Sequence, residues 1–276
     1  MPCSLLNDHH VIGDVSSQRM QTTDDDHELA VRLAVEAGNL LVNLRRDLTE
    51  AGVDPQELKD HADRASHEWL TAALADVRPH DEVLSEEATE DEARDSRRLE
   101  AERVWVIDPL DGTREFSEGR NDWAVHVALA IRGRPTVGAV SLPATDEVFS
   151  TASPVAPPAA PPRLRVVVSR SRPPAEALAV ADALGAELIE MGSAGAKTMA
   201  ILKGVADIYP HSGGQYEWDS CAPVAVASAA GLHCSRLDGS TLVYNEPDPY
   251  LPDLLVCRPE HAHLVVEAAR SRQPSR

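Results

Sequence analysis

The stretch Val104-Trp105-Val106-Ile107-Asp108-Pro109-Leu110-Asp111-Gly112-Thr113 is apolar for four residues and then ends in two carboxylates, a proline, a glycine and a hydroxyl. Four β-branched or aromatic residues without polar alternation suit a strand covered on both faces. Pro109 cannot continue a central ladder and Gly112 permits a tight turn, so Asp108 and Asp111 are expected on the exit loop. Two carboxylates held close repel, and a divalent cation that accepts both sets of lone pairs relieves the repulsion. A metal site is the sharper reading, and an Asp-Pro turn followed by an Asp-Gly turn is the plainer one.

Outward from this stretch, 276 residues with 43% hydrophobic content are enough for one large or two medium domains around a sizeable core. The formal net charge of -19 and a pI near 4.9 argue against a nucleic-acid-binding surface and against adhesion to acidic membranes. The same charge is compatible with an anionic substrate when bound divalent ions reverse the sign of the site. Cys3, Cys221, Cys234 and Cys257 are too scattered for a zinc site or a disulfide framework, so a reducing cytoplasm is expected. No apolar run approaches the roughly 20 residues needed to span a bilayer, and the N-terminus lacks a basic-then-apolar signal.

Residues 1–23 are polar and aperiodic, and they read as a flexible extension with Met20 as the natural start. Thr23 and Asp26 have the spacing of a capping box. Leu29, Leu33, Ala37, Leu40, Leu41 and Leu44 then recur at helical spacing, predicting a helix to about Gly52. A second helix is predicted over about Asp60 to Val77, with Ala62, Ala65, Trp69 and Ala73 on one face and Leu70, Leu74 and Val77 beside them. A short strand at Glu82 to Leu84 ends in Glu86-Glu87, and the charge-dense segment from Ala88 to Arg103 reads as a solvated loop or helix. Trp123 to Ile131 and Pro135 to Leu142 form two strands around a turn at Arg132-Gly133-Arg134, with a further strand at Glu147 to Ser150. These elements make an α+β half over residues 24–151. Residues 152–163 are proline-rich and cannot pair as central sheet, so they are the expected connection to a second half. Residues 164–276 alternate strand and helix, an α/β rhythm in which Gly213-Gly214 forms a mobile or closely approached loop. Asp219 opens a helix through Ala230 with Pro223 in its first turn.

The D-P-L-D-G-T run at Asp108 to Thr113 and the later Glu217-Trp218-Asp219-Ser220-Cys221-Ala222-Pro223 resemble, in order, the two signatures of the inositol monophosphatase superfamily of magnesium-dependent, lithium-sensitive phosphatases. The resemblance extends over roughly Leu29 to Ala268. It implies an α/β protein with the layered α/β/α/β/α fold and a metal site between its halves. It also implies a set of metal ligands: Glu86, Asp108, the Leu110 carbonyl, Asp111 and Asp219, holding two or three Mg²⁺ ions, with Li⁺ as an inhibitor. On the residues alone, Glu86 also fits a solvated acidic turn and Asp219 a helix N-cap. Thr113 is implied to work with Asp63 as the pair that relieves an attacking water of its proton. Asp60 is the competing choice, and both carboxylates also fit the start of a helix. The amides of Gly112 and Thr113 are implied to hold phosphate oxygens. The chemistry such a set serves is in-line hydrolysis of a phosphate monoester.

Within the superfamily the chain is most similar to the CysQ type, the 3'(2'),5'-bisphosphate nucleotidases, which convert 3'-phosphoadenosine 5'-phosphate to AMP and phosphate in sulfate assimilation. Arg114-Glu115-Phe116 after the first motif, Ser169-Arg170-Ser171, Gly192-Ser193 with Lys197, and Glu217 carry that similarity. It implies substrate contacts from Arg170, Ser193, Lys197 and Asp219, since a bisphosphate needs a second anion site away from the metals. Arg172 stands where a histidine is usual, and Lys197 falls one residue late. A broader phosphatase acting on inositol monophosphate or fructose 1,6-bisphosphate is the alternative, and a non-catalytic module that binds divalent ions is the remote one. The implied partner is a small nucleotide or sugar phosphate, and the implied assembly is a homodimer.

Overall fold

The computed structural model describes residues 24–89 and 96–270. The extension expected over 1–23, with Met20 and the Thr23 half of the capping box, lies outside them. The first sheet collects β1 (Glu82–Ser85), β2 (Arg103–Asp111), β3 (Ala124–Ile131), β4 (Arg134–Leu142) and β5 (Glu147–Ser150) in chain order. β1 and β2 run parallel and every later pair is antiparallel. The turn between β3 and β4 has positive φ at both Arg132 and Gly133, the geometry that matches strand twist in a two-residue hairpin.

Residues 152–163 contain no helix or strand, and the chain then starts a second sheet. This contains β6 (Arg165–Ser169), β7 (Glu187–Met191), β8 (Ile208–Tyr216), β9 (His233–Ser235) and β10 (Tyr250–Cys257), in the order β7-β6-β8-β10-β9. Gly213 and Gly214 are not in a loop. They lie within β8, and a Cβ on Gly214 would sit 2.5 Å from the Tyr250 ring on the neighbouring strand.

Helices fill the layers around the two sheets. α1 (Asp24–Glu50) and α2 (Pro55–Val77) cover the outer face of the first sheet, burying Leu29, Leu33, Leu41, Leu70 and Leu74 against Trp105, Ile107 and Val127. Each such side chain contributes roughly 1.5–3 kcal/mol by leaving water. α2 starts five residues earlier than its apolar pattern suggested, because Asp54 caps it by accepting from Gln56 N at 2.8 Å and Pro55 occupies the first turn. Asp26 is buried and accepts from Arg78 Nε at 3.0 Å and from Arg103. Part of the charge-dense segment is α3 (Ser96–Glu100), whose Arg98 is buried and bonds Asn245 Oδ1 at 2.5 Å, so that portion is not solvated.

The central layer is α6 (Ala194–Leu202) and α7 (Glu217–Ala229), packed between the sheets in one continuous core with Val104, Val106, Val140, Tyr209 and Val256. α5 (Ala175–Leu184) and α8 (Ala262–Arg270) close the far face of the second sheet over Val166, Val168, Ile208 and Leu255. The short α4 (Thr113–Ser117) follows β2 directly. The layers therefore read α/β/α/β/α. Alternate residues of β2 feed two different cores, as expected of a strand covered on both faces. Among the described residues, no helix is long and apolar enough to cross a membrane.

Candidate active site

Asp108 and Asp111 lie in β2 itself and not on an exit loop. β1 ends opposite Ile107, so the last residues of β2 pair only with β3, and Pro109 interrupts no ladder on the other side. Asp108 stands opposite His126 and Asp111 opposite Ala124, with a bulge between them. Residues three apart in a regular strand point to opposite faces. The bulge turns both carboxylates the same way, so that His126 lies 3.1 Å from Asp111 Oδ2 and 3.9 Å from Asp108 Oδ2. The kinked backbone is tied down from both sides: Ser66 Oγ on α2 donates to Pro109 O at 2.8 Å, and Leu110 N donates to Asp108 Oδ1 at 3.1 Å. Thr113 Oγ1 donates to Leu110 O at 3.2 Å.

Three more carboxyls reach this point from other elements. Glu86 follows β1, and its carboxyl and that of Asp108 perturb each other's hold on a proton. Asp63 comes from α2 and acts on Glu86 electrostatically. Asp219 arrives from the second half on α7, where it is the third helical residue and not the N-cap; its Oδ2 accepts from Tyr216 N at 2.6 Å. Pro223 is in the interior of α7, beyond the first turn.

This crowding changes how the groups hold protons. Burial first, and then Asp219, push the Glu86 carboxyl up to about 8. Burial, then Glu86 and Asp111, raise Asp108 well above the carboxylate range. Asp219 is raised to about 6 by burial and by Asp111, and Asp63 to about 7 by burial, Glu87 and Asp60. Asp111 moves the other way. Burial alone would raise it, but His126, Lys197 and the Gly195 amide hold it at about 2. Its two oxygens accept from Ala194 N at 3.1 Å and Gly195 N at 2.7 Å, so a carboxylate of the first sheet caps α6 of the second half. Glu86, Asp108 and Asp219 thus hold their protons more tightly than free carboxyls do, and a cation at this point would take the place of those protons. Asp108, Asp111 and His126 can each offer a ligand atom within 4.8 Å of the others.

The residues singled out for substrate sit beside this cluster. Ser193 caps α6 through Ala196 N at 2.8 Å. Lys197 is buried one turn further on, and its Nζ donates to Gly192 O and to Ser193 O, the latter at 2.9 Å. Burial lowers its pKa against the opposing pull of Asp111, Asp219, Glu115 and Asp122. Arg170 follows β6, and its Nη2 reaches both Glu115 at 2.8 Å and Glu118 at 2.7 Å, joining the second half to α4 and the residue after it. Glu217 faces away from the cluster and accepts from Asn245 N and Glu246 N at 2.6 and 2.8 Å.

Where the two halves meet, glycines allow the closest contacts. A Cβ on Gly112 would lie 2.9 Å from Ser193 Cβ, one on Gly192 2.2 Å from Glu115, and one on Gly195 2.1 Å from His126 Nε2. Gly112 also has φ +87 at the head of α4. His126 was not foreseen. Its signal was a lone polar residue inside the apolar run Trp123 to Ile131, and its meaning depends on the β2–β3 register.

The sequence profile of the inositol monophosphatase family matches residues 23–155 and 163–273. The chain is 49% identical over 247 residues to the 3'-phosphoadenosine 5'-phosphate phosphatase of Mycobacterium bovis, covering 84% of this chain and 89% of that one. It is 32% identical to the 3'(2'),5'-bisphosphate nucleotidase CysQ of Escherichia coli over 69% of this chain and 80% of that one. The crystal structure of CysQ from Bacteroides thetaiotaomicron superposes with a TM-score of 0.71 at 26% identity, over 85% of this chain and 97% of that one. With both signature motifs converging on one carboxylate cluster between two sheets, the chain belongs to the inositol monophosphatase family.

Proposed function

We propose that this protein is a metal-dependent phosphomonoesterase that removes the 3'-phosphate of 3'-phosphoadenosine 5'-phosphate, leaving AMP and phosphate. The observation that carries the reading is the convergence of Glu86 after β1, Asp108 and Asp111 on β2, and Asp219 on α7, three of them with raised proton affinity. The nucleotide substrate is supported by the likeness to the mycobacterial phosphatase and to CysQ. Phosphate release from a panel of adenosine 3',5'-bisphosphate, inositol 1-phosphate and fructose 1,6-bisphosphate tests it. A preference for either of the last two would replace the nucleotide reading with the broader sugar-phosphatase one.

In this reading Glu86, Asp108, the Leu110 carbonyl, Asp111 and Asp219 hold the ions, and their oxygen donors suit Mg²⁺. Such ions lower the pKa of water toward neutrality and neutralise charge on the phosphate and the leaving alcohol. The Gly112 and Thr113 amides hold phosphate oxygens. Thr113 Oγ1 now donates to Leu110 O; released from that bond, it takes the proton of the attacking water and passes its own to Asp63. A carboxyl raised to about 7 is well matched to accepting a proton near neutral pH. Mg²⁺ as the ion, Li⁺ as the inhibitor and a dimeric assembly belong to the same proposal and rest on the family resemblance, and a cytoplasmic location belongs to it on the strength of the scattered cysteines.

Two measurements follow. LiCl is expected to inhibit phosphate release while matched NaCl does not, and equal responses would leave only an ionic-strength effect.

The second concerns pH. Below the ordinary Glu value of 4.5 the folded and unfolded chains both hold the Glu86 proton, so it costs no stability. Between 4.5 and about 8 the folded chain keeps a proton that the unfolded chain has lost, and metal-free stability falls as pH rises through that window. Mg²⁺ takes the place of the proton. The rise in melting temperature on adding MgCl₂ is therefore expected to be larger at pH 8 than at pH 5, and equal rises at both would count against Glu86 as a ligand.

A further inference from the structure

We propose that His126 is a positioning residue that fixes Asp111 in its metal-binding orientation, so that the central helices α6 and α7 bear on a ligand carried by the first sheet. The inference rests on the metal site proposed above. His126 is fully buried as the third residue of β3. Ala124, Ala128 and Ala130 share its face toward the central helices, while Val125, Val127 and Leu129 turn to the outer core. Its Nδ1 lies 3.1 Å from the carbonyl of Trp218, the residue before Asp219. Its Nε2 lies 3.1 Å from Asp111 Oδ2, which also accepts from Gly195 N. One ring therefore touches the strand bearing Asp108 and Asp111, the first turn of α6 and the first turn of α7.

Two observations separate this role from packing and from direct ligation. Nε2 has no well-aligned hydrogen-bond partner despite its burial, so its 3.1 Å approach to Asp111 Oδ2 is an electrostatic contact that filling the space would not require. Nε2 is also packed against Gly195 with no room for a methyl group, so an ion with its own shell does not fit on that side. The ring instead holds one edge of the carboxylate and leaves the rest of its lone pairs to a cation.

Two substitutions split the ring's contacts. The amide nitrogen of asparagine falls where Nδ1 is, and that of glutamine reaches where Nε2 is. His126→Asn keeps the Trp218 contact and loses Asp111; His126→Gln does the reverse. Calorimetric titration of the substrate-free protein with MgCl₂ is expected to show affinity reduced about 10 to 100-fold in His126→Asn and by much less in His126→Gln. Equal affinities in both variants and the wild type, or equal losses in both, would overturn the inference, as would failure of both to fold, which would make the ring a packing residue. A wild-type protein that binds no Mg²⁺ would instead overturn the metal site itself and this inference with it.

Discussion

Asp111→Asn is expected to give a folded protein whose turnover has fallen by more than about a hundredfold at saturating Mg²⁺, since losing a partner of a metal ligand already costs 10 to 100-fold and this residue is the proposed ligand itself. The substitution preserves shape but removes the formal charge that Asp111 retains even when buried, with its carboxyl held at about 2. It also disturbs the cap on α6. Both carboxylate oxygens accept backbone amides, and an asparagine would turn its NH₂ toward one of those donors. Leaving that amide unsatisfied costs about 1–3 kcal/mol, a loss that a thermal melt would register. Phosphate release and the melt together separate the two effects. Near wild-type turnover at saturating Mg²⁺ would remove Asp111 from the site, however large the change in stability.

Lys197→Ala is expected to lower kcat/KM for adenosine 3',5'-bisphosphate by roughly 10 to 150-fold and to leave inositol 1-phosphate almost unchanged. The ammonium already donates to Gly192 O and Ser193 O, which leaves one of its three N–H groups for a phosphate. A charge-assisted contact of this kind is worth roughly 1.5–3 kcal/mol, which sets the range at about 1.4 kcal/mol per decade. Inositol 1-phosphate has no second phosphate to lose, so general damage to the fold would appear in both substrates. Equal losses would mean that Lys197 serves to hold the Gly192-Ser193 turn and does not read the nucleotide.

Most of the elements were legible because periodicity is a local property, whereas their layering came from the family resemblance. The apolar alternation of α1 and α2, the uninterrupted run of β2 and the Arg132-Gly133 hairpin all appear within a few residues of where they were expected. What was missed depended on neighbours. Pro109 argued against a strand only if β2 had partners on both sides there, and β1 stops opposite Ile107. The Asp54-Pro55 start of α2 was written in the chain but lies ahead of the apolar pattern that drew attention. β9, three residues long, has no pattern to read. At the site, Asp108, Asp111 and Asp219 were marked by their motifs. The part played by His126 exists only once a bulge aims two carboxylates at one ring and α6 brings Gly195 against it.

The glycine contacts between the halves bear on how such a protein can diversify. At Gly112, Gly192 and Gly195 the two halves meet as closely as backbone and side chain allow, and a single methyl group has nowhere to go. Any substitution there must displace Ser193, Glu115 or His126, so it alters the alignment of the carboxylates before it alters what is recognised. The rim has no such constraint: Arg170 and Glu118 meet where water still reaches both. A library of variants seeking a new phosphate ester would therefore find changes of preference at the rim, and at the glycine contacts mostly loss of the catalyst.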